Sequence, residues 1–354
     1  MVANMTFAQL QSSVVTPLVA ALSVWGCVWL TACDREQPTN KLREFEMGGR
    51  TMGTSFQIRL LGPPELDLIS MEKSVLEQLA RLNKIFSTYD PTSELSELNK
   101  MLTTEKIPIS RELADTLAIA KGISAASNGG LDITLGPVVE LWGFGATEAK
   151  PFFAIEEQLP LLMPYVGEDL YLIDQKNRTV SKNKPEVSFD LSALAKGYTV
   201  DVVYEWLKAQ GIQNLLVEIG GEIKAGGHKL NGGSWSAGLE VPLADKRQVG
   251  WIVALNNVAV ASSGDYRHFF EHEGVRYSHL LDPRTGRPLT YKNMNVSVVH
   301  REAIMADAWA TALSVLGPET GLPIAEKHNI AVQYAIENKI IRSSAFRRLD
   351  VRKF

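Results

Sequence analysis

Apolar and polar positions alternate or recur with clear periods through most of the chain. Phe56–Leu60 alternates and predicts a strand. Val75, Leu79, Leu82 and Phe86 fall at helical spacing and predict a helix over 71–86, with a second over 111–127 stopped by Asn128-Gly129-Gly130. Segments 170–174 and 179–182 flank a polar turn and predict a hairpin. A helix is expected over 194–210, ending at Gly211, and another over 304–316. Strand patterns recur at 215–219, 234–240, 251–255, 258–261 and 276–281, with a closing hairpin over 331–336 and 339–342 about Glu337-Asn338. Helices and strands in mixed order, with many strands joined by short turns, predict an α+β fold with mixed, largely antiparallel sheets and packed helices in a single catalytic unit. No G-x-G-x-x-G lies between a strand and a helix, so a Rossmann dinucleotide site is not indicated.

The first 33 residues break this pattern, because they contain no Lys, Arg, Asp or Glu. Residues 14–30 form an apolar run interrupted by Thr16, Pro17 and Ser23, short for a spanning helix and suited to a signal-peptide core. The run ends in Leu30-Thr31-Ala32-Cys33, which resembles a bacterial lipobox. Residues 1–33 are therefore expected to be a lipoprotein signal segment, with Cys33 the lipid-bearing first residue of the mature chain. Asp34 resembles the signal that retains such lipoproteins at the inner membrane. The competing expectation is an uncleaved anchor helix. Residues 34–45 are polar and charged, a tether, and 46–354 form the catalytic body.

Composition narrows the chemistry. The chain has 354 residues, 45% of them hydrophobic, with 36 Lys+Arg against 40 Asp+Glu, so it has no basic footprint for nucleic acid. Cys27 and Cys33 are the only cysteines, so the mature body is expected to have no disulfide and no thiolate metal site.

Several stretches are candidates for chemistry. In Phe189–Asp201, Asp190 and Ser192 stand at a helix entry with Lys196 in the following turns. They could hold an anionic ligand, or Asp190 or Ser192 could be an N-cap and Lys196 a solvated surface residue. Gly220-Gly221 follows a buried-looking strand and allows either a sharp turn or a close ligand approach. Ser262–Asp265 reads as a polar turn after a strand. His279, in a strand-like segment before Asp282–Gly286, could act as a general base or simply pack. Asp307 and Thr311, at i and i+4, share one helix face. They supply hard oxygens suited to Mg²⁺; the alternative is a buried Asp capping a loop and a Thr bonded to its own helix. Met52, Tyr89 and Trp142 suggest a flat ligand, although each alone is as well explained by packing.

These pieces occur in one order: Met52–Thr54, Ser87–Tyr89 with Ser93–Asn99, Gly129–Asp132, Leu141–Phe144, Asp190–Asp201, Ile219–Gly221, Ser263–Tyr266, His279–Gly286 and Ala306–Thr311. Together they resemble the FAD:protein FMN transferase (ApbE) family over residues 46–345. The resemblance implies a Mg²⁺-dependent enzyme that cleaves FAD, attaches FMN through a phosphoester to a threonine of an acceptor protein and releases AMP. Implied acceptors are subunits of Na⁺-translocating NADH:quinone oxidoreductase or Rnf-type complexes, met at the periplasmic face of the inner membrane. It assigns Met52, Tyr89, Gly130, Leu131, Asp132, Asp190, Lys196 and Leu281 to FAD. It assigns the Ala193 carbonyl, Asp307 and Thr311 to the metal, and His279 to the acceptor's proton. An FAD pyrophosphatase and a non-catalytic flavin-binding lipoprotein are the competing functions.

Overall fold

The computed structural model describes residues 41–146, 152–243, 246–264, 269–290, 293–336 and 339–354. The signal segment, the lipobox with Cys33, and Asp265 and Tyr266 lie outside the described residues. Residues 40–354 form one compact unit.

Its centre is an eight-stranded sheet: β1 (Arg43–Thr51), β2 (Thr54–Gly62), β3 (Asn214–Ile219), β4 (Glu222–Gly226), β5 (Val258–Gly264), β6 (Met294–His300), β7 (Ala331–Ile336) and β8 (Lys339–Arg342). Spatial order equals chain order, so the sheet is a meander with long insertions between some strands. Every strand pairing among the described residues is antiparallel. The α+β expectation stands, with the sheets wholly antiparallel.

Four helices matter for the site: α1 (Leu68–Phe86), α2 (Arg111–Ala126), α3 (Ala195–Ala209) and α4 (Ala303–Lys327). Helix α4 breaks at Gly317, where φ is 65°. The glycine supplies the left-handed backbone and Pro318 restarts the helix, which is why the apolar pattern ended at residue 316.

Strand alternation sorts the core. Leu215, Val217 and Ala259 pack toward α1 and α3, and Ala261 and Val298 toward α2 and α4. Leu216, Ala225, Val260 and Val299 turn to the opposite face. There a three-stranded sheet (Trp235–Leu243, Lys246–Leu255 and Val351–Lys353) covers them, with Trp235 fully buried. The eight-stranded sheet is thus the middle of three layers, buried on both faces over its centre.

The structure corrects three local expectations. Strand β1 begins at Arg43, inside the stretch read as tether, so 43–45 belong to the body. The strand expected over 276–281 is two short ones, Val275–Ser278 and Leu281–Asp282, with His279 at the bend between them. Ser262 and Ser263 are not a turn: β5 continues through Gly264, and the hydroxyls of Ser262 and Ser297 bond across the strands at 2.8 Å. Strands β1, β4 and β6 went unread although their polar residues keep a period of two, as in Met294-Asn295-Val296-Ser297-Val298.

Candidate active site

The site is built where α3 begins. Gly197 lies against α4 so closely that a Cβ there would stand 2.5 Å from the Ala303 carbonyl oxygen and 2.7 Å from Ile304 Cα. Only glycine lets the two backbones approach this far. At that crossing the helices cap one another. The Gly197 N–H donates to Asp307 Oδ2 of α4 at 3.0 Å, and the Ile304 N–H donates to Asp201 Oδ2 of α3 at 3.0 Å. Neither Asp190 nor Ser192 caps α3: its N-cap position is Leu194, with no side-chain bond, and Asp190 Oδ1 instead accepts the Ser192 N–H at 2.7 Å.

This cross-capping has a consequence for the preceding turn. The Ala195 and Tyr198 N–H groups bond four residues back, to Leu191 and Leu194. The Gly197 N–H is committed to Asp307, and among the described residues the Ala193 carbonyl receives no hydrogen bond. A neutral, uncommitted oxygen therefore stands beside a buried carboxylate at a helix start. Asp307 is only 5% exposed, and both of its partners among the described residues, Gly197 N–H and Lys196, meet Oδ2. Burial is the main cause that pushes its carboxyl up to about 7, with Glu222 adding to the rise and Lys196 opposing it. Thr311, one turn along, is half-buried, and its hydroxyl bonds no described residue, its own helix included.

Ala193, Asp307 and Thr311 thus offer a carbonyl, a carboxylate and a hydroxyl. This is a hard-oxygen set with a single charge. Among the described residues no three His, Cys, Asp or Glu cluster as a metal cage. One carboxylate plus neutral oxygens is the donor set of Mg²⁺, which takes its remaining ligands from water and substrate phosphates. The residues fit that ion.

Lys196 is no surface lysine. Its Nζ lies 3.1 Å from Glu222 Oε1 and 3.6 Å from Asp307 Oδ2. The β3–β4 turn carries its stem: a Cβ on Gly220, where φ is +61°, would meet Lys196 Cδ at 3.2 Å and Thr54 Cγ2 at 2.8 Å. The β1–β2 turn lies alongside, with Met52 at φ 48° and its sulfur 3.5 Å from the oxygen of Thr199, whose hydroxyl donates to the Ala195 carbonyl at 2.7 Å. Met52, Lys196, Asp307 and the Gly220-Gly221 turn therefore converge.

A second group surrounds Asp190. Its N–H donates to the Ile133 carbonyl at 2.7 Å, joining it to the Gly130–Asp132 turn. Asn99 grips Phe189, the preceding residue, at both its N–H and its carbonyl, each at 2.8 Å. Tyr89 is 67% exposed, and its phenol is shifted up by partial burial and then by the charges of Asp190 and Glu140. Gly130 abuts α4, where a Cβ would meet Leu316 at 2.9 Å and the Ala312 carbonyl at 3.0 Å. Leu131 is buried in the core. The Asp132 carboxylate is turned into its own loop, accepting both the N–H and the hydroxyl of Thr134 at 2.8 and 2.6 Å.

The bend that carries His279 is held against α4 and an aromatic cluster. Leu280 packs with Val315 of α4, one turn beyond Thr311. Leu281 packs with Trp142 in an aromatic cluster, and Phe144 meets the His279 ring edge-on at 6.4 Å between centroids. Trp142 itself is core, its indole N–H donating to the Gly286 carbonyl at 2.8 Å.

Sequence reasoning missed Glu222 and Asp201. The signal for Glu222 was its place directly after the double glycine, two residues before Lys224. The alternation turns both toward the helices, where Lys224 pairs with Asp201 at 2.7 Å and Glu205 at 3.1 Å.

A family model described as the ApbE family matches residues 52–335. The chain belongs to the ApbE family. Among similar ApbE proteins, the FAD:protein FMN transferase of Vibrio cholerae is 36% identical over 335 residues, covering 93% of this chain and 96% of that one. The Haemophilus influenzae protein of the same name is 37% identical, covering 92% and 95%. Two solved ApbE structures share the fold. The flavin transferase from Vibrio cholerae has a TM-score of 0.79 at 35% identity, covering 87% of this chain and 99% of that one. The Pseudomonas stutzeri flavinyl transferase in its apo form has 0.78 at 32%, covering 87% and 97%.

Proposed function

We propose that this chain is an FAD:protein FMN transferase that uses Mg²⁺, joins FMN to a threonine hydroxyl of an acceptor protein and releases AMP. The names of its relatives support the transfer of FMN from FAD. The observation that carries the metal-dependent part is the uncommitted Ala193 carbonyl beside the buried Asp307 carboxylate, with Thr311 one turn away.

Each residue has a task in this reading. Met52 and Tyr89 flank the planar rings. Gly130, Leu131 and Asp190 shape the nucleotide cleft, Asp132 by holding its turn, and Leu281 by setting the His279 bend. Lys196 meets phosphate charge. Ala193, Asp307 and Thr311 hold Mg²⁺, which when bound neutralises the diphosphate and supports in-line displacement. His279 takes the proton of the threonine hydroxyl as its oxygen bonds to the FMN phosphorus and the bridging bond to AMP breaks.

The lipid anchor on Cys33, the inner-membrane location on the periplasmic face and acceptors of the Na⁺-translocating NADH:quinone oxidoreductase or Rnf type belong to the same proposal. The decisive experiment incubates the protein with FAD, Mg²⁺ and an acceptor domain. Intact mass of the acceptor should rise by one FMN, with AMP formed in equal amount. Asp307→Ala should abolish both. Free FMN with no acceptor adduct would instead establish a pyrophosphatase, and no AMP at all a flavin carrier.

A further inference from the structure

Lys196 stands between two buried carboxylates, one of which the proposed function assigns to a cation. Glu222 is 2% exposed, and its Oε2 is buried with no hydrogen-bond partner among the described residues. Its other oxygen is held by Lys196 at 3.1 Å, while the same ammonium stands 3.6 Å from Asp307 Oδ2. A buried carboxylate left without a counter-charge is strongly destabilising, so Glu222 has a structural demand for this lysine. Asp307 has a second partner in the Gly197 N–H and is less dependent on it. The lysine is also the least buried of the three: its side chain is 28% exposed, against 3% and 7% for the carboxylates, and its stem passes a glycine turn that leaves it room. Two cations cannot share the Asp307 carboxylate without repulsion.

We infer that Glu222 is a positioning residue that parks Lys196, so that the ammonium occupies Asp307 as a stand-in cation and withdraws onto Glu222 when a divalent ion takes that carboxylate. The unused Oε2 is the acceptor that the withdrawn ammonium gains. The arrangement keeps Asp307 neutralised before the ion binds and sets the lysine beside the substrate's phosphates afterwards. This inference rests on the metal site proposed above.

The test is Mn²⁺ binding to the full-length protein without FAD, followed by calorimetry and by the loss of the free-ion resonance. Glu222→Asp keeps the charge, hence the field at Asp307, and only draws the carboxylate back from the ammonium. It should weaken Mn²⁺ about tenfold, the lower end of what outer-sphere partners contribute. In a Lys196→Met background the same change should have no effect within twofold. A wild-type affinity in Glu222→Asp, or an equal loss in both backgrounds, overturns the inference while leaving the metal site intact. Undiminished Mn²⁺ binding by Asp307→Ala removes the metal site and the inference with it. Should Glu222→Asp fail to fold by circular dichroism, the isosteric Glu222→Gln takes its place. Parking then requires a larger loss with lysine present than with methionine.

Discussion

At the scale of single residues, two groups with similar sequence context have opposite meanings. His279 sits at a bend pinned on one side by Leu280 against Val315 and on the other by Leu281 among aromatics. A ring held this way can move a proton without moving its backbone. His279→Ala should retain FAD binding, measured by flavin fluorescence quenching, and lose transfer by about 10²–10⁴-fold. Lys182 is the contrast: 1% exposed, it donates to the Leu98 and Met101 carbonyls at 3.0 Å each. These bonds fix the end of the helix that carries Asn99. Burial draws the Lys182 ammonium down to about 8 from an ordinary 10.5. Between those values the unfolded chain binds the proton that the folded one has released, so this lysine adds stability as pH rises through that window. The difference in denaturant midpoint between wild type and Lys182→Met should therefore grow in favour of wild type from pH 8 to 10.5, and be flat from pH 6 to 7.5.

At the scale of elements, the crossing of α3 and α4 places the chemistry. Reciprocal capping by Asp201 and Asp307 fixes both helix starts, and the missing Cβ of Gly197 sets their distance. Gly197→Ala should cost roughly 1–3 kcal/mol in a urea titration, because backbone rather than a flexible side chain occupies the space. It should also reduce turnover more than it weakens FAD binding, since Asp307 shifts relative to Ala193. The helices themselves were legible: the pattern over 304–316 matches the helical run up to Gly317, and the one over 194–210 matches α3 to within a residue at each end. The capping was not legible. It joins residues about a hundred positions apart, and local preference pointed to Asp190 or Ser192. Glu222 was hidden for a related reason, since a charged residue in a strand reads as solvent-facing until the helix above it is known.

At the scale of the whole molecule, the proposed lipid attachment would assign anchoring to the leading segment and catalysis to the compact body. Under the proposed lipid attachment, Cys33→Ser should leave the protein in the aqueous phase of a detergent partition. Transfer to a soluble acceptor domain should be unchanged, and only transfer to a membrane-embedded acceptor slowed, because tethering raises encounter concentration and nothing else. The meander explains why the architecture was readable as antiparallel without its topology being so: neighbours such as β3 and β4 are joined by two residues, but Leu61 of β2 pairs with Asn214 of β3 across the longest insertion. Closing such a span is slow relative to forming a hairpin. The first hairpin brings Met52, whereas Asp307 arrives only with the last third of the chain. An interrupted copy from a stalled ribosome would therefore carry the Met52 turn but not Asp307, so that under the proposed function it could not break the diphosphate and unfinished protein would leave the dinucleotide pool untouched.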